Sequence, residues 1–527
     1  MAKGFRNLNR AKPQNCGVGL LAVFILVSLT YLTMSRTNKM RVSMGKQSLS
    51  VSLSITCPYS SFCLFITHWF SASSQLVPVL SVNSTSIRSD ASAGQEEGSH
   101  KEEEFEKSSS VHHAEISARS SPNELGGMKL EKKQPRCDLS NRKSDVCEAE
   151  GDVRIIGKDT RMVYVSPPQW ADNKEGGESW TIKPYARKWD VGSGAHVREV
   201  TLKPVKSYGD DTRCSVNYSI PALVFAIGGW SGINFFHDFG DVLVPLFQTA
   251  YPFGGEVQLL VANKKPGWVE KYKLYFQKLS KYEIIEFDKD DAVRCFKQVT
   301  VGLRCSSIED FQIEPSKSPQ GYSMVDFAKF TRSAFSLERD RPISRGEEKA
   351  GKKPRLMIIT RARTRKFMNV EEIVEMAKEA GYDVVVTEAS EDIAEFSRIV
   401  NSCDVLMGVH GSALTNMVFL PTNAVVIQVV PWGNLDWIAG HYFREPSKQM
   451  KVSYLEYSIN EEETTLTELY PRDHAVFKDP MSVHHQGWDT FSRIFLKEQN
   501  VRLDVERFRP FLERALSILR EQQRERE

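Results

Sequence analysis

The stretch from Asn401 to Pro421, NSCDVLMGVHGSALTNMVFLP, constrains the fold of this chain more than any other. Asp404 to Val409 is an apolar run of strand length, Gly408-Val409-His410-Gly411-Ser412 is a glycine-rich turn, and a helix is expected to open at Ala413. An apolar run ending in such a turn is how an open α/β sheet presents a ligand site, at the carboxyl end of a strand. Free backbone N–H groups at the start of the following helix favour a phosphate-like anion.

The flanking sequence supplies the rest of such a sheet. Arg355 to Thr360 (RLMIIT) reads as a strand, followed by a helix with Val370, Ile373, Val374 and Ala377 on one face and Gly381 as its stop. A strand over Asp383 to Thr387, a helix through Ile393, Phe396, Ile399 and Val400, and a strand over Ala424 to Val429 continue the alternation. Further upstream, strands are expected at Ala222 to Ile227, Glu256 to Ala262 and Tyr282 to Phe287, with helices over Asn234 to Phe247 and Trp268 to Leu279 between them. Strands alternating with helices imply parallel sheets with crossover helices. The expected fold class is therefore α/β, with two Rossmann-like halves facing a cleft: an N-terminal half over 151–340, a polar linker over 341–354, and a C-terminal half over 355–500. A C-terminal helix, Val505 to Leu519 within 501–527, is expected to cross back onto the first half.

At 527 residues the chain is long enough for more than one domain, on a prior of about 150 residues each. A net charge of +2 without a basic stripe argues against nucleic-acid binding, and nine cysteines without CxxC spacing argue against a structural zinc site. Ahead of the globular region, Cys16 to Met34 is an uncharged apolar run that as a helix would span roughly 28 Å, about one bilayer core. Lys3, Arg6, Arg10 and Lys12 precede it and no clean cleavage site follows, so it reads as an uncleaved signal anchor behind a cytosolic tail, 1–15. A short tail without a domain stays cytosolic, which puts the remainder in the secretory lumen. Residues 35–150 read as a largely disordered stem, rich in Ser, Glu, Lys and His from residue 83 on. Within it, Ser48 to Leu80 is apolar but interrupted by Pro58 and His68, and is either stem, a second membrane segment or a gene-model artefact. Asn83 and Asn217 open Asn-x-Ser/Thr triplets suited to glycosylation.

Three patches at the loop ends of expected strands can carry chemistry. In His237-Asp238 with Asp241, positions 237 and 241 share a helix face, so a carboxylate can orient the imidazole as a general base. Arg361, Arg363, Arg365 and Lys366, followed by Asn369, crowd a strand terminus where cations can neutralise a diphosphate. The third patch is the opening turn, with His410, Gly411, Ser412, Thr415 and Asn416. Each has a plainer alternative: a packed histidine, a solvated basic loop, a structural turn. Asp288-Lys289-Asp290 could hold a divalent cation, but such triplets are common in acidic loops and the basic patch already offers charge compensation. A serine hydrolase on Ser412 lacks the G-x-S-x-G elbow.

Taken together, GGWSGINFFHDFGDVLVPLF (Gly228 to Phe247), SPQGYSMVDFAKFTRSAFSL (Ser318 to Leu337), TRARTRKFMN (Thr360 to Asn369), the Asn401–Pro421 stretch, QVVPWGNLDWIA (Gln428 to Ala439) and NVRLDVERFRP (Asn500 to Pro510) resemble plant glycosyltransferase family 61, in the group of grass xylan arabinosyl- and xylosyltransferases. The resemblance covers about residues 150–520 and departs from the family at Gly232-Ile233-Asn234. It implies a GT-B fold, a single-pass type II Golgi membrane glycoprotein, and inverting transfer of a pentose from UDP-arabinofuranose or UDP-xylose to xylan. It implies no metal and no cofactor besides the donor. By this carry-over Arg361, Arg365, Asn369, His410, Gly411, Ser412 and Asn416 are donor-binding, and the catalytic base lies among His237, Asp238 and Asp241. The alternatives are a non-catalytic lumenal binding partner in a xylan synthase complex and a family member that acts on proteins.

Overall fold

In the computed structural model, residues 135–166 and 178–524 are described. The expected anchor at Cys16–Met34, the Ser48–Leu80 tract and Asn83 lie outside them. Among the described residues no helix is long and apolar enough to cross a membrane.

The second half forms as its periodicity indicates. Below, strands carry numbers in chain order: β1 (Arg136–Asp138), β2 (Val146–Ile156), β3 (Met162–Ser166), β4 (Trp180–Ile182), β5 (Val200–Pro204), β6 (Val216–Asn217), β7 (Ala222–Ala226), β8 (Gln258–Ala262), β9 (Ile285–Glu286), β10 (Arg294–Val301), β11 (Arg355–Thr360), β12 (Asp383–Glu388), β13 (Val405–Val409), β14 (Val425–Val430) and β15 (Ser453–Ser458). The last five make an all-parallel sheet in the order β12-β11-β13-β14-β15. Strands β13 and β14 are buried along their whole length because both sheet faces are covered, which is why they read as unbroken apolar runs. Leu356, Ile358, Val405, Met407, Val425 and Ile427 point to a core under helices Val370–Glu379 and Val505–Arg524. The alternate residues Met357, Ile359, Leu406 and Val426 point to the opposite core, shared with helix Ile393–Asn401.

The first half departs from the sequence reading. Its sheet has ten strands, in the order β4-β5-β3-β2-β10-β7-β8-β9, with β1 on β2 and β6 on β10. Strands β6 to β10 form a parallel, Rossmann-like part; β2 runs antiparallel to β10 and β3 antiparallel to β2, while β5 runs parallel to β3. Strands β1 and β2 lie across 136–156, so 136–150 belongs to the sheet and not to a stem. Alternating, half-exposed strands such as β2 carry fewer apolar residues than buried parallel ones, and that weakens their signal in sequence. Disulfides Cys137–Cys147 and Cys214–Cys295 tie this added layer down. The expected linker contains a short helix, Arg345–Lys349.

The C-terminal helix does not cross to the first half. Its buried residues Phe508, Leu512, Ala515 and Leu519 complete the core of the second, Tyr382 donates to the Leu512 carbonyl at 2.8 Å, and Gln523 ends on the Ile343 carbonyl of the linker at 2.8 Å. The two sheets nevertheless share one continuous core, in which Phe239 and Phe335 of the first half meet Phe419 of the second edge-on at 6.1 and 5.5 Å.

Candidate active site

Each sheet reverses its winding at one place, and both candidate patches sit there. In the second sheet the chain passes from β11 outward to β12 and returns over the sheet to β13, so the crevice beyond the ends of β11 and β13 is the switch point at which such folds bind ligands. Arg361 follows β11 directly, and His410-Gly411 follows β13. In the first sheet, β7 and β10 flank the corresponding point. Ahead of it lie Gly228 to Asn234 after β7, and Gly302 to Asp310 after β10.

Past β7, Asn234 caps a helical run by accepting the Phe236 N–H. That run becomes a π-turn over Asp238–Leu243 before reverting to α-helix at Val244–Ala250. An i→i+5 turn takes about one residue more than an α-turn, so positions four apart stay aligned while positions three apart diverge. His237 and Asp241 therefore share a face, and Asp238 points elsewhere. Nδ1 of His237 sits 3.2 Å from Oδ2 of Asp241, off the line of a good hydrogen bond. Asp241 is fully buried; it accepts from the Tyr185 hydroxyl at 2.6 Å and from Arg187 Nη1 at 3.3 Å. The close approach of Tyr185 requires Gly229, whose φ is +54° and whose Cβ would lie 2.7 Å from that ring. Arg187 also reaches Asp310 at 2.7 Å and Asp190 at 3.1 Å, and Lys143 reaches Asp310 at 3.0 Å. Burial works against the Asp310 carboxylate, but Lys143 and Arg187 hold its pKa well below the usual range. Two cations thus face three carboxylates, with His237 beside Asp241 at the edge of the cluster.

Asp238 has a different task. Gly232 N–H, Trp268 Nε1 and the Tyr272 hydroxyl donate to it at 2.6, 2.8 and 2.7 Å. With three donors on a buried carboxylate, it braces the Gly228–Asn234 loop and has little capacity left for an acceptor proton, although burial raises its pKa. The sequence reading did not separate these three residues, and Lys143, Tyr185, Arg187 and Asp310 carried no periodic or motif signal in it.

At the other switch point, Gly411 has φ +151°, and a Cβ there would stand 2.8 Å from Arg361 Nη1 and 3.1 Å from Arg365 Nη1. Both guanidinium groups lie against the glycine backbone. Arg365 donates to the His410 carbonyl at 2.7 Å and Arg361 Nε to the Thr364 carbonyl at 2.8 Å. Among the described residues neither has a carboxylate within ion-pair distance, and Arg365 Nε is buried without a hydrogen-bond partner. Burial, then the neighbouring Arg361, pushes Arg365 down to about 9. Burial, then the two arginines, pushes His410 down to about 3, so its ring is neutral. Gln428 Nε2 lies 2.8 Å from His410 Nδ1, and Gln428 Oε1 accepts from the Tyr454 hydroxyl at 3.2 Å. That orientation makes the glutamine amide a donor to Nδ1 and leaves the ring proton on Nε2.

The remaining expected donor residues divide. Ser412 is half-buried at the turn, whereas Asn416 is buried with its amide on the Ala413 carbonyl at 2.8 Å. Segment Ser412–Phe419 is a 3-10 helix, not the α-helix expected from Ala413. Asn369 is a correction: both faces of its amide are used on Leu503, at 2.9 and 3.0 Å, and Nδ2 also reaches Glu372, so it pins the C-terminal segment and is not free for a ligand. Arg363 is exposed, away from the pair. Asp288 and Asp290 do not converge: Asp288 accepts from the Asn263 N–H at 2.6 Å beside Arg198, and Asp290 takes Arg294 in two hydrogen bonds at 2.6 and 2.9 Å. Asn217 is exposed on β6.

A run of rings connects the two switch points: Phe236, beside His237, meets Phe443 at 5.8 Å, and Phe443 meets His410 at 5.5 Å. The profile described as Glycosyltransferase 61 matches residues 235–427, the interval that holds His237 through to Gly411. An alpha-1,3-arabinosyltransferase of Oryza sativa subsp. japonica is 48% identical over 388 residues, 73% of this chain and 66% of the relative. A beta-1,2-xylosyltransferase of the same organism is 42% identical over 396 residues, covering 73% of this chain and 84% of the relative. The chain belongs to glycosyltransferase family 61. A xylan glycosyltransferase of Arabidopsis thaliana, 32% identical, covers 76% of this chain and 83% of that protein. The chain spans about two thirds of the length of the rice arabinosyltransferase it matches. The family thus unites the polar constellation after β7 with the guanidinium pair after β11 in one matched segment.

Proposed function

We propose that this chain is a Golgi glycosyltransferase that moves an L-arabinofuranosyl or xylosyl residue from a UDP-sugar to xylan during plant cell-wall synthesis. The observation that carries the reading is the Arg361–Arg365 pair against Gly411: two largely buried guanidinium groups without a carboxylate partner among the described residues, at the switch point of a doubly wound sheet. Buried charge of one sign is costly until an anion compensates it. A diphosphate, with oxygens to match two planar forks, is such an anion.

In the proposed reaction the acceptor hydroxyl oxygen attacks the anomeric carbon as the bond from that carbon to the UDP β-phosphate oxygen breaks. The hydroxyl proton passes to His237, and the bonding pair leaves with UDP. Asp241, held by Tyr185 and Arg187, keeps the imidazole in place and stabilises the imidazolium. Arg361 and Arg365 stabilise the charge that grows on the leaving diphosphate, the preorganised electrostatic contribution that is usually the largest in such reactions. A single displacement of this kind inverts the anomeric centre. The arginines take the place a divalent cation holds in other transferases, so turnover is expected to persist in EDTA. The proposal includes a GT-B plan, a type II anchor at Cys16–Met34 and glycans at Asn83 and Asn217. Two disulfides support an oxidising compartment.

The test incubates the full-length chain in detergent with UDP-arabinofuranose or UDP-xylose and xylan oligomers, in EDTA. Pentosylated oligomer with inverted configuration is expected from one of the donors. UDP binding without transfer would favour the non-catalytic partner instead.

A further inference from the structure

Four of the large apolar side chains left exposed on this protein, Trp189 (54%), Val191 (84%), Trp230 (41%) and Ile233 (73%), come from two short segments, 189–191 and 230–233. Asp190 joins the segments by accepting from Trp230 Nε1 at 2.8 Å. The Arg187 guanidinium sits 4.3 Å from the Trp189 ring centroid and salt-bridges Asp190 at 3.1 Å. The same guanidinium reaches Asp241, which backs His237, and the Trp230 ring lies 6.4 Å from that of His237. One buried cation therefore fixes two solvent-facing indoles and the candidate base in a single rigid frame.

We infer that Trp189 and Trp230 form the acceptor platform, on which successive pyranose rings of a β-linked polysaccharide stack so that a hydroxyl is presented to His237. This rests on the proposed transferase reading and adds where the acceptor lies and what holds it. Several features select this occupant. An indole with one face against a guanidinium keeps its orientation without being buried, which costs a flexible surface side chain nothing on binding. Apolar C–H faces of pyranoses match flat aromatic surface, and their equatorial hydroxyls stay in water. A protein partner would call for a larger contiguous apolar area than two short segments supply. Asp190, holding Trp230 from its ring nitrogen, leaves the ring faces free.

The experiment compares full-length wild type with Trp189→Ala, Trp230→Ala and, as a control, Trp488→Ala at an exposed indole that packs against Phe491. Acceptor KM on xylan oligomers, donor KM, acceptor-independent UDP-sugar hydrolysis, and retardation in gels containing xylan, mixed-linkage β-glucan or mannan are measured. Each platform variant is expected to raise acceptor KM about tenfold and to lose gel retardation, with donor KM and hydrolysis unchanged and the Trp488 variant like wild type. Trp189→Phe and Trp230→Phe keep a flat ring and are expected to recover most of the affinity, which separates stacking from disturbance of Arg187. Wild type acting on xylan while both alanine variants keep its acceptor KM would overturn the platform. Retardation by another β-linked polysaccharide, lost in the variants, would keep the platform and remove xylan as the acceptor. Wild type retarded by none of the three would overturn the platform outright.

Discussion

Both switch points bring arginine close to histidine, yet they reach opposite electrostatic states. After β7 and β10, Lys143 and Arg187 are enclosed by Asp190, Asp241 and Asp310, so each cation has a partner and His237 faces a small surplus of negative charge. After β11 and β13, Arg361 and Arg365 converge on a glycine and, among the described residues, donate to carbonyl oxygens without a carboxylate, and His410 is held neutral. The first site is complete as folded and is suited to receiving a proton. The second becomes electrostatically complete only when an anion arrives. On the proposed mechanism this asymmetry assigns acid–base work to one half and leaving-group stabilisation to the other.

Removing the proposed base should have the largest effect. His237→Ala is expected to lower kcat by on the order of 10²–10⁴, with UDP affinity unchanged, measured by transfer kinetics beside UDP titration. Asp238→Asn should instead lower thermal stability, because it weakens the brace on Trp268 and Tyr272 more than it touches the reaction. Next, Arg361→Met is expected to cost on the order of 10²–10³ in kcat and to raise the melting temperature of the unliganded protein, because an apolar side chain removes an uncompensated buried charge. A melting temperature that falls with the arginine would mean that the pair stabilises the empty fold and that the contrast between the two sites is wrong.

A pH experiment probes the same contrast with a smaller effect. His410 has its pKa depressed from 6.5 to about 3 in the folded chain. Between those values the unfolded chain binds the extra proton, so this stabilising contribution is present above pH 6.5 and is lost as pH falls toward 3. Stability of the unliganded protein, followed by denaturant titration, should decline over that window, and His410→Gln should flatten it. Finally, Gly411→Ala places a Cβ 2.8 Å from Arg361 at a left-handed φ. It should cost roughly 1 kcal/mol of stability and raise donor KM more than acceptor KM.

The centre of the second half was legible in sequence because β11, β13 and β14 are buried on both faces: β11 matches Arg355–Thr360, and the glycine-rich turn lies where the apolar run ends. Much of the first half was not. Strands β1 to β5 are half-exposed and, apart from the parallel β3–β5 pair, antiparallel, most of them five residues or shorter, and the helix after β7 contains a π-turn that no spacing rule separates from α-helix. Site residues followed the same division. Arg361, Arg365, His410 and Gly411 adjoin one another in sequence or at strand ends and were found together. Arg187 meets Asp241 and Asp310 only through the fold, across separations of 54 and 123 residues, which pattern reading cannot bridge. Asn369 shows the converse: it stands in a basic run beside the strand end, yet its amide is committed to Leu503.

The most direct measurement is isothermal titration of UDP into wild type, Arg361→Met, Arg365→Met and His237→Ala, in EDTA. The account predicts that wild type and His237→Ala bind alike, while each arginine variant weakens binding about a hundredfold, roughly 2.7 kcal/mol. Undiminished UDP affinity in both arginine variants would contradict it and place the leaving group elsewhere.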